Sequence, residues 1–199
     1  MAASEKLLEA FHLFDEANTK DPNIEVFNGK TYPKELLYAM RMTDMLDLFA
    51  PNASEALKLA ARSQHICRWE IPRNKYEMGR AGYLKWRQDL KKFHVQKASE
   101  ILKQVGYAQD TIDQVTFLLL KKQLKKSKET QTLEDIICLV FLNYYFEPFM
   151  QKHPNDKVVD IVQKTWRKMS PEGQKSALEL AFSENAKNLI TNAIANGEK

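Results

Sequence analysis

Glycine is scarce in this chain. It occurs 6 times in 199 residues, about 3% against a usual ~7%. Turn-rich β sandwiches and phosphate-wrapping loops draw on glycine for their positive-φ positions, so both readings lose support. No GxxxxGK followed by Ser or Thr occurs, nor any GxGxxG, and the P-loop and dinucleotide-fold readings lose their strongest sign. Cysteine occurs twice, at Cys67 and Cys138, too few for a disulfide framework or a four-cysteine zinc site. Long apolar runs are missing too: Phe117–Leu120 and Ile136–Leu142 fall well short of the ~20 residues that span a bilayer. No basic-then-apolar signal segment opens the chain. The expectation is a soluble, reduced, cytoplasmic protein with no membrane partner. The composition that remains is ordinary, 44% hydrophobic and 28% charged, and the length suits a single domain with a sizeable core.

The net charge of +4 hides an uneven distribution. Residues 1–60 carry 6 basic and 10 acidic side chains, and residues 129–199 carry 8 and 10, but residues 61–128 carry 16 and 6. Solvated lysine faces on helices are one reading of that middle third. A basic surface or cleft that attracts phosphate or another polyanion is the other, and the concentration favours it.

Helical signals recur from end to end. Ser4 can cap a helix over 5–17, with Leu7, Leu8, Phe11 and Phe14 on one stripe. Residues 20–32 are irregular, with Asn28 and Gly29 as turn residues and IEVF (24–27) as the one β-like run. Pro33 suits the first turn of a helix to about Phe49. Asn52 with Glu55 reads as a capping pair for a helix to about Trp69. A long helix is expected over about 83–105, stopped by Gly106, and another from Asp110 to about Lys122. Thr132 to Asp135 resembles a capping box before an apolar helix that ends near Phe146, ahead of Pro148. A helix from Asn155 or Asp156 to about Met169 follows, and Ser170-Pro171 starts the last one. The expectation is one all-α domain over 1–199, a compact bundle of about eight helices, with neither repeat nor linker.

The densest group of chemically able side chains lies in QHICRWEIPR (64–73). On a helix His65 shares a face with Arg68 and Trp69, and Arg73 follows closely. Either this is a surface patch at a helix C-terminus, or it is the edge of a site. The next long helix offers a stripe of Trp86, Leu90, His94, Lys97 and Ile101 at spacings of three or four. Its apolar members turn it inward, so His94 is either a satisfied core histidine or a functional one. Arg80, Trp86 and Arg87 add groups suited to stacking and to bidentate phosphate contacts. Lys121 and Lys122 close an apolar run, and Glu134 and Asp135 follow twelve residues later. Both acids also suit the first turn of a helix. No HExxH, GxSxG or paired-cysteine motif is present, and neither an RNA-binding sheet signature nor a helix-turn-helix stands out.

Several motifs together resemble a family of unknown function. They are QHICRWEIPR (64–73), GRAGYLKWR (79–87), His94 with Lys97-Ala98, Ile101-Leu102, Val105 to Tyr107, LLKKQLKK (119–126), QTLEDIICLVFL (131–142) and KTWRKMSPEG (164–173). Some fungal members of that family are labelled glutamyl-tRNA synthetase-like, although no synthetase motif is visible here. The family resembles, more distantly, the all-helical HD superfamily of metal-dependent phosphohydrolases, which hold divalent metal with a histidine, a His-Asp pair and a later aspartate. That resemblance implies an HD-like core, with His65 as the first histidine and His94, followed by Ala98, as a later one. It places Asp135 or Glu134 near the late acidic position.

The chain departs from that pattern. It has no adjacent His-Asp, Lys121-Lys122 stand where the resemblance implies a further histidine, and Asn143 stands where members commonly have an acid. Lysines and arginines around such a site repel a cation and attract an anion. The expected function is therefore an HD-like helical protein with a basic pocket for a phosphate-containing or other anionic small ligand, its metal chemistry weakened or lost. In that pocket Arg68, Trp69, Arg73, Arg80, Trp86, Arg87, Lys121 and Lys122 bind ligand. If it is an enzyme, His65 or His94 is the general base, oriented by Glu134 or Asp135. One alternative keeps a divalent metal on His65, His94 and Asp135 and hydrolyses phosphoester bonds. The other is a non-enzymatic module that binds RNA or an acidic protein surface.

Overall fold

The computed structural model describes residues 4–197. The chain divides into two compact units, Met1–Lys122 and Gln123–Lys199. The join falls in a lysine-rich stretch with neither proline nor glycine, where Lys121, Gln123 and Lys125 take φ of 55°, 53° and 70°. Non-glycine residues enter that region rarely, so composition carries no linker signal there. The chain is mostly helical. Among the described residues there are ten α-helices, not eight, and one two-stranded sheet. No helix is long and apolar enough to cross a membrane.

The first unit runs α1 (Glu5–Asn18), β1 (Ile24–Phe27), β2 (Lys30–Pro33), α2 (Lys34–Phe49), α3 (Glu55–Ser63), α4 (Arg80–Gln104) and α5 (Gln109–Leu119). Ser4 caps α1 through the Leu7 N–H, as expected. IEVF is a strand, and the Asn28-Gly29 turn, with φ of 50° and 73°, folds it back onto β2. That is the turn chemistry of a two-residue hairpin. α3 is capped by Ser54 rather than Asn52 and ends at Ser63. Residues 64–75 leave α-helical geometry for two short 3-10 turns, Arg68–Glu70 and Arg73–Lys75. The pivot is Cys67, a left-handed residue at φ 51° whose N–H donates to Asn18 Oδ1 at 3.0 Å. The core of this unit includes Phe14, Met42, Leu46, Leu59, Ile66, Leu102, Val115 and Leu118.

α4 buries Gly82, Trp86, Leu90, His94, Ala98 and Leu102, a strict spacing of four. Lys97 and Ile101 flank that stripe instead of belonging to it.

The second unit runs α6 (Lys128–Val140), a π turn over Phe141–Tyr145, α7 (Phe146–Lys152), α8 (Asn155–Trp166), α9 (Pro171–Leu178) and α10 (Glu184–Gly197). α6 starts earlier than expected because Ser127, not Thr132, is its cap. The Thr132 hydroxyl lies inside the helix and donates to Lys128 O. Pro148 does not end the helical run: it sits in the first turn of α7, where no intrahelical donor is required. α10 was unmarked by glycine or proline; Ser183 Oγ accepts from the Ala186 N–H at its start. Leu133, Ile136, Leu139 and Phe146 lead this core.

Candidate functional site

The first unit assembles its most polar interior from three places in the chain. The start of α2 supplies Glu35 and Tyr38, the turn after α3 supplies Gln64, His65 and Arg68, and α4 supplies Trp86, Arg87 and His94. Asp21 Oδ2 accepts from the Glu35 N–H at 3.0 Å and fixes the first turn of α2. The positive end of the helix dipole, with Lys34 adjacent, makes this a place where a carboxylate can be buried.

His65 is the centre of the group. Its ring stacks on Tyr38, with centroids 4.0 Å apart and 16° between planes. The Tyr38 hydroxyl donates to Gln64 Oε1 at 2.9 Å. His65 Nδ1 lies 3.1 Å from Glu35 Oε2, and Nε2 lies 3.0 Å from Arg68 Nη1. A guanidinium only donates, so Nε2 must accept and the ring's one proton must sit on Nδ1, where it points at Glu35. The result is a carboxylate–histidine pair with its tautomer set by an arginine. Arg68 in turn lies with Nε 3.8 Å from Glu35 Oε1 and its guanidinium 4.9 Å above the Trp86 ring. Trp86 is anchored by Nε1 donating to Ile71 O at 2.8 Å. The side chain of His65 is 18% exposed, that of Glu35 only 9%.

His94 brings a second imidazole to the same place, its ring centroid 5.9 Å from that of His65. It bonds to the Gln64 backbone, and its Nε2 is buried without a hydrogen-bond partner. Burial pushes both imidazoles well below the ordinary histidine range. For His65, Arg68, Arg87, Lys121 and Lys34 push in the same direction. For His94, the further push comes from His65, Arg68 and Arg87. Burial raises Glu35 to about 7, outweighing the attraction of Arg68 and Lys34.

These shifts act on stability in opposite senses. A histidine lowered in the native state costs stability as pH falls below about 6.5, because only the unfolded chain takes the proton. Glu35 does the reverse between about 7 and the ordinary glutamate value of 4.5, since there the native state binds the proton more readily. At pH 7 the long-range 1H–15N spectrum of His65 is expected to show a protonated Nδ1 and a bare Nε2, with no titration near pH 6.5. Arg68→Met is expected to raise the His65 pKa. A doubly protonated ring in the wild-type protein at pH 7 would contradict this geometry.

Other residues singled out in the sequence have different employment. Arg73 is spent on its own loop: its guanidinium donates to the carbonyls of Tyr76 at 2.9 Å, Glu77 at 2.8 Å and Gly79 at 3.4 Å. Trp69 lines a separate cavity in the first unit. Arg80 is the exposed first residue of α4 and Lys122 is exposed at the end of the unit. Arg62 pairs with Asp15 and lies over the Phe11 ring.

Glu134 and Asp135 belong to the second unit. Glu134 is buried with Lys168 Nζ at 3.8 Å. Asp135 accepts from the Ser170 N–H at 2.8 Å, the Ser170 hydroxyl at 2.7 Å and Gln131 Nε2 at 3.0 Å. The acid that meets His65 is Glu35, which sequence reasoning passed over. Its one local sign was a glutamate in a helix first turn, which the helix dipole explains without any site.

The donor set does not fit a divalent metal. Both His65 nitrogens are engaged, by a carboxylate and a guanidinium, and the surrounding field is cationic. Among the described residues no three His, Cys, Asp or Glu side chains gather to hold an ion. Several cations, Arg68, Arg87, Lys121 and Lys34, face His65 and the one buried carboxyl of Glu35.

Residues 8–190 match the model of a family described as Domain of unknown function (DUF4202), and the chain belongs to that family. No curated protein and no solved structure matches it.

Proposed function

We propose that the first unit holds a phosphate-containing or similar anionic small ligand at Arg68, Arg87 and His65, and that Glu35 and His65 form the general base of a metal-free hydrolytic site. The observation that carries this reading is the tautomer of His65, with its Nε2 lone pair aimed at a guanidinium. An oxyanion competes for that guanidinium by charge-assisted bonds. Drawing Arg68 away exposes Nε2 as the base, while Glu35 holds Nδ1–H and stabilises the imidazolium that forms on proton uptake. Lys34 and Lys121 add to the field that attracts the ligand. His94, with its unused Nε2, is the second polar group at the reacting centre. Two imidazoles, one on the turn after α3 and one on α4, with ring centroids 5.9 Å apart, support an HD-like scaffold whose metal ligands have given way to cations. The free cysteines suit a cytoplasmic setting.

The test uses inorganic phosphate and p-nitrophenyl phosphate. Phosphate is expected to bind one-to-one and to perturb the His65 ring signals. Arg68→Met and Arg87→Met should each weaken binding at least ~10-fold, as the loss of one charge-assisted bond implies. His65→Gln should weaken phosphate binding less than either arginine variant and abolish turnover. Absence of phosphate binding, or binding indifferent to both arginines, overturns the proposal. Tight RNA binding with a steep salt slope and no response to Arg68→Met would favour the non-enzymatic module instead.

A further inference from the structure

Within residues 65–70 the side chains part company. His65 and Arg68 meet Glu35, whereas Ile66, Cys67, Trp69 and Glu70 line a half-open cavity of about 330 Å³ formed with α1 and α4. The left-handed turn at Cys67 is the backbone feature at that division. The volume lies at the small end of the ~300–1,000 Å³ typical of ligand pockets.

The lining has two characters. Trp69 and Ile101, backed by the buried Ile66 and Cys67, make an apolar surface that includes one indole. Burial and Glu70 raise the Cys67 thiol to about 11, so it stays protonated and acts as an apolar group. Around that surface stand Lys20, Lys97, Glu70 and Glu100, two cations and two anions. The pair Lys97–Glu70 is loose, 3.5 Å apart with side chains 32% and 41% exposed, and such pairs stabilise little. They can be traded for a ligand's charges at small cost.

We propose that this cavity is a second ligand site, for a small zwitterion that carries a flat apolar group. The flat group lies against Trp69 and Ile101, the ligand's carboxylate faces Lys97 and Lys20, and its ammonium faces Glu70 and Glu100. A singly charged ligand that displaces the Lys97–Glu70 pair answers one member and strands the other, whereas a zwitterion answers both, so the balanced lining selects for both charges on one molecule. The inference is independent of what the Glu35–His65 pair does.

The probes are 4-fluoro-L-phenylalanine, 4-fluorophenylacetate and 4-fluorophenethylamine, followed by 19F relaxation against the full chain. The zwitterion is expected to bind at least ~10-fold more tightly than either singly charged compound, the factor that one satisfied charge pair of about 1.4 kcal/mol supplies. Lys97→Met and Glu70→Gln, both at partly exposed positions, should each reduce zwitterion binding several-fold while phosphate binding stays unchanged. Equal binding of all three compounds, no binding of any, or zwitterion binding unaffected by both substitutions overturns the proposal. The His65 ring spectrum reports in each variant that the unit remains folded.

Discussion

Gly82→Ala is expected to destabilise the first unit by about 3–5 kcal/mol, the range reached when severe overpacking is joined by lost hydrogen bonds. By helix propensity alone the substitution should help, since glycine costs ~1 kcal/mol against alanine inside a helix. The local packing reverses that sign. A Cβ at position 82 would stand 2.1 Å from the Glu77 carbonyl oxygen, 2.8 Å from its carbon and 3.2 Å from its Cα. These are backbone atoms, and no rotamer change moves them aside.

Glu77 is also not free to retreat. Its carbonyl accepts from Arg73, which binds the Tyr76 and Gly79 carbonyls as well. The Tyr76 hydroxyl donates to Asp89 Oδ2 at 3.0 Å, one turn beyond Trp86 on α4. Making room for a methyl group therefore breaks the Arg73 fastening or shifts the start of α4. Because α4 carries Trp86, Arg87 and His94, phosphate affinity should fall together with stability. Urea unfolding of the variant measures the first effect. A Gly82→Ala protein as stable as wild type would show that the 73–79 loop is not fastened to α4.

Asp135→Ala should cost the second unit about 3 kcal/mol, from buried donors left without an acceptor at ~1–3 kcal/mol apiece. Asp135 is 2% exposed and serves three donors. The Ser170 hydroxyl is shared: it donates to Asp135 Oδ2 and accepts from the Gly173 N–H, which caps α9. Burial raises the Asp135 carboxyl, and the bonds from Ser170 and Gln131 oppose that rise. The aspartate is thus held more by geometry than by charge. Asp135→Asn keeps an oxygen acceptor and should cost roughly 1 kcal/mol, the worth of one neutral bond. Amide exchange in α6 and α9 separates the two variants. If Asp135→Asn proved as damaging as Asp135→Ala, the negative charge itself would be the requirement.

The two acids show why part of the site was legible and part was not. His65, Arg68, Trp86, Arg87 and His94 stand out in the chain because they concentrate imidazole, guanidinium and indole groups in two short stretches. Arg73 stands out equally, yet its guanidinium goes to three loop carbonyls, a use that no spacing announces. Glu35 lies thirty residues before its histidine, and its own neighbourhood explains it fully as a first-turn acid. Asp135 looked like part of a capping box with Thr132, but Ser127 caps α6 and Asp135 instead braces the cap of α9.

The sequence by itself determined the helical class, the caps at Ser4 and Ser170, the turn at Asn28-Gly29 (though not the strand pair it joins) and the basic middle third. All of these arise from interactions over a few residues, where backbone preference and side-chain spacing are decisive. Which charges meet was decided only by the tertiary structure. With glycine scarce, the anion we propose is held by side chains, and the chain offers many arginines and lysines between residues 61 and 128. Burying one carboxylate beside His65 at the start of α2 makes Arg68 its counter-charge and sets the imidazole's proton on Nδ1. Such compensation between groups far apart in the chain exists only once the helices have packed.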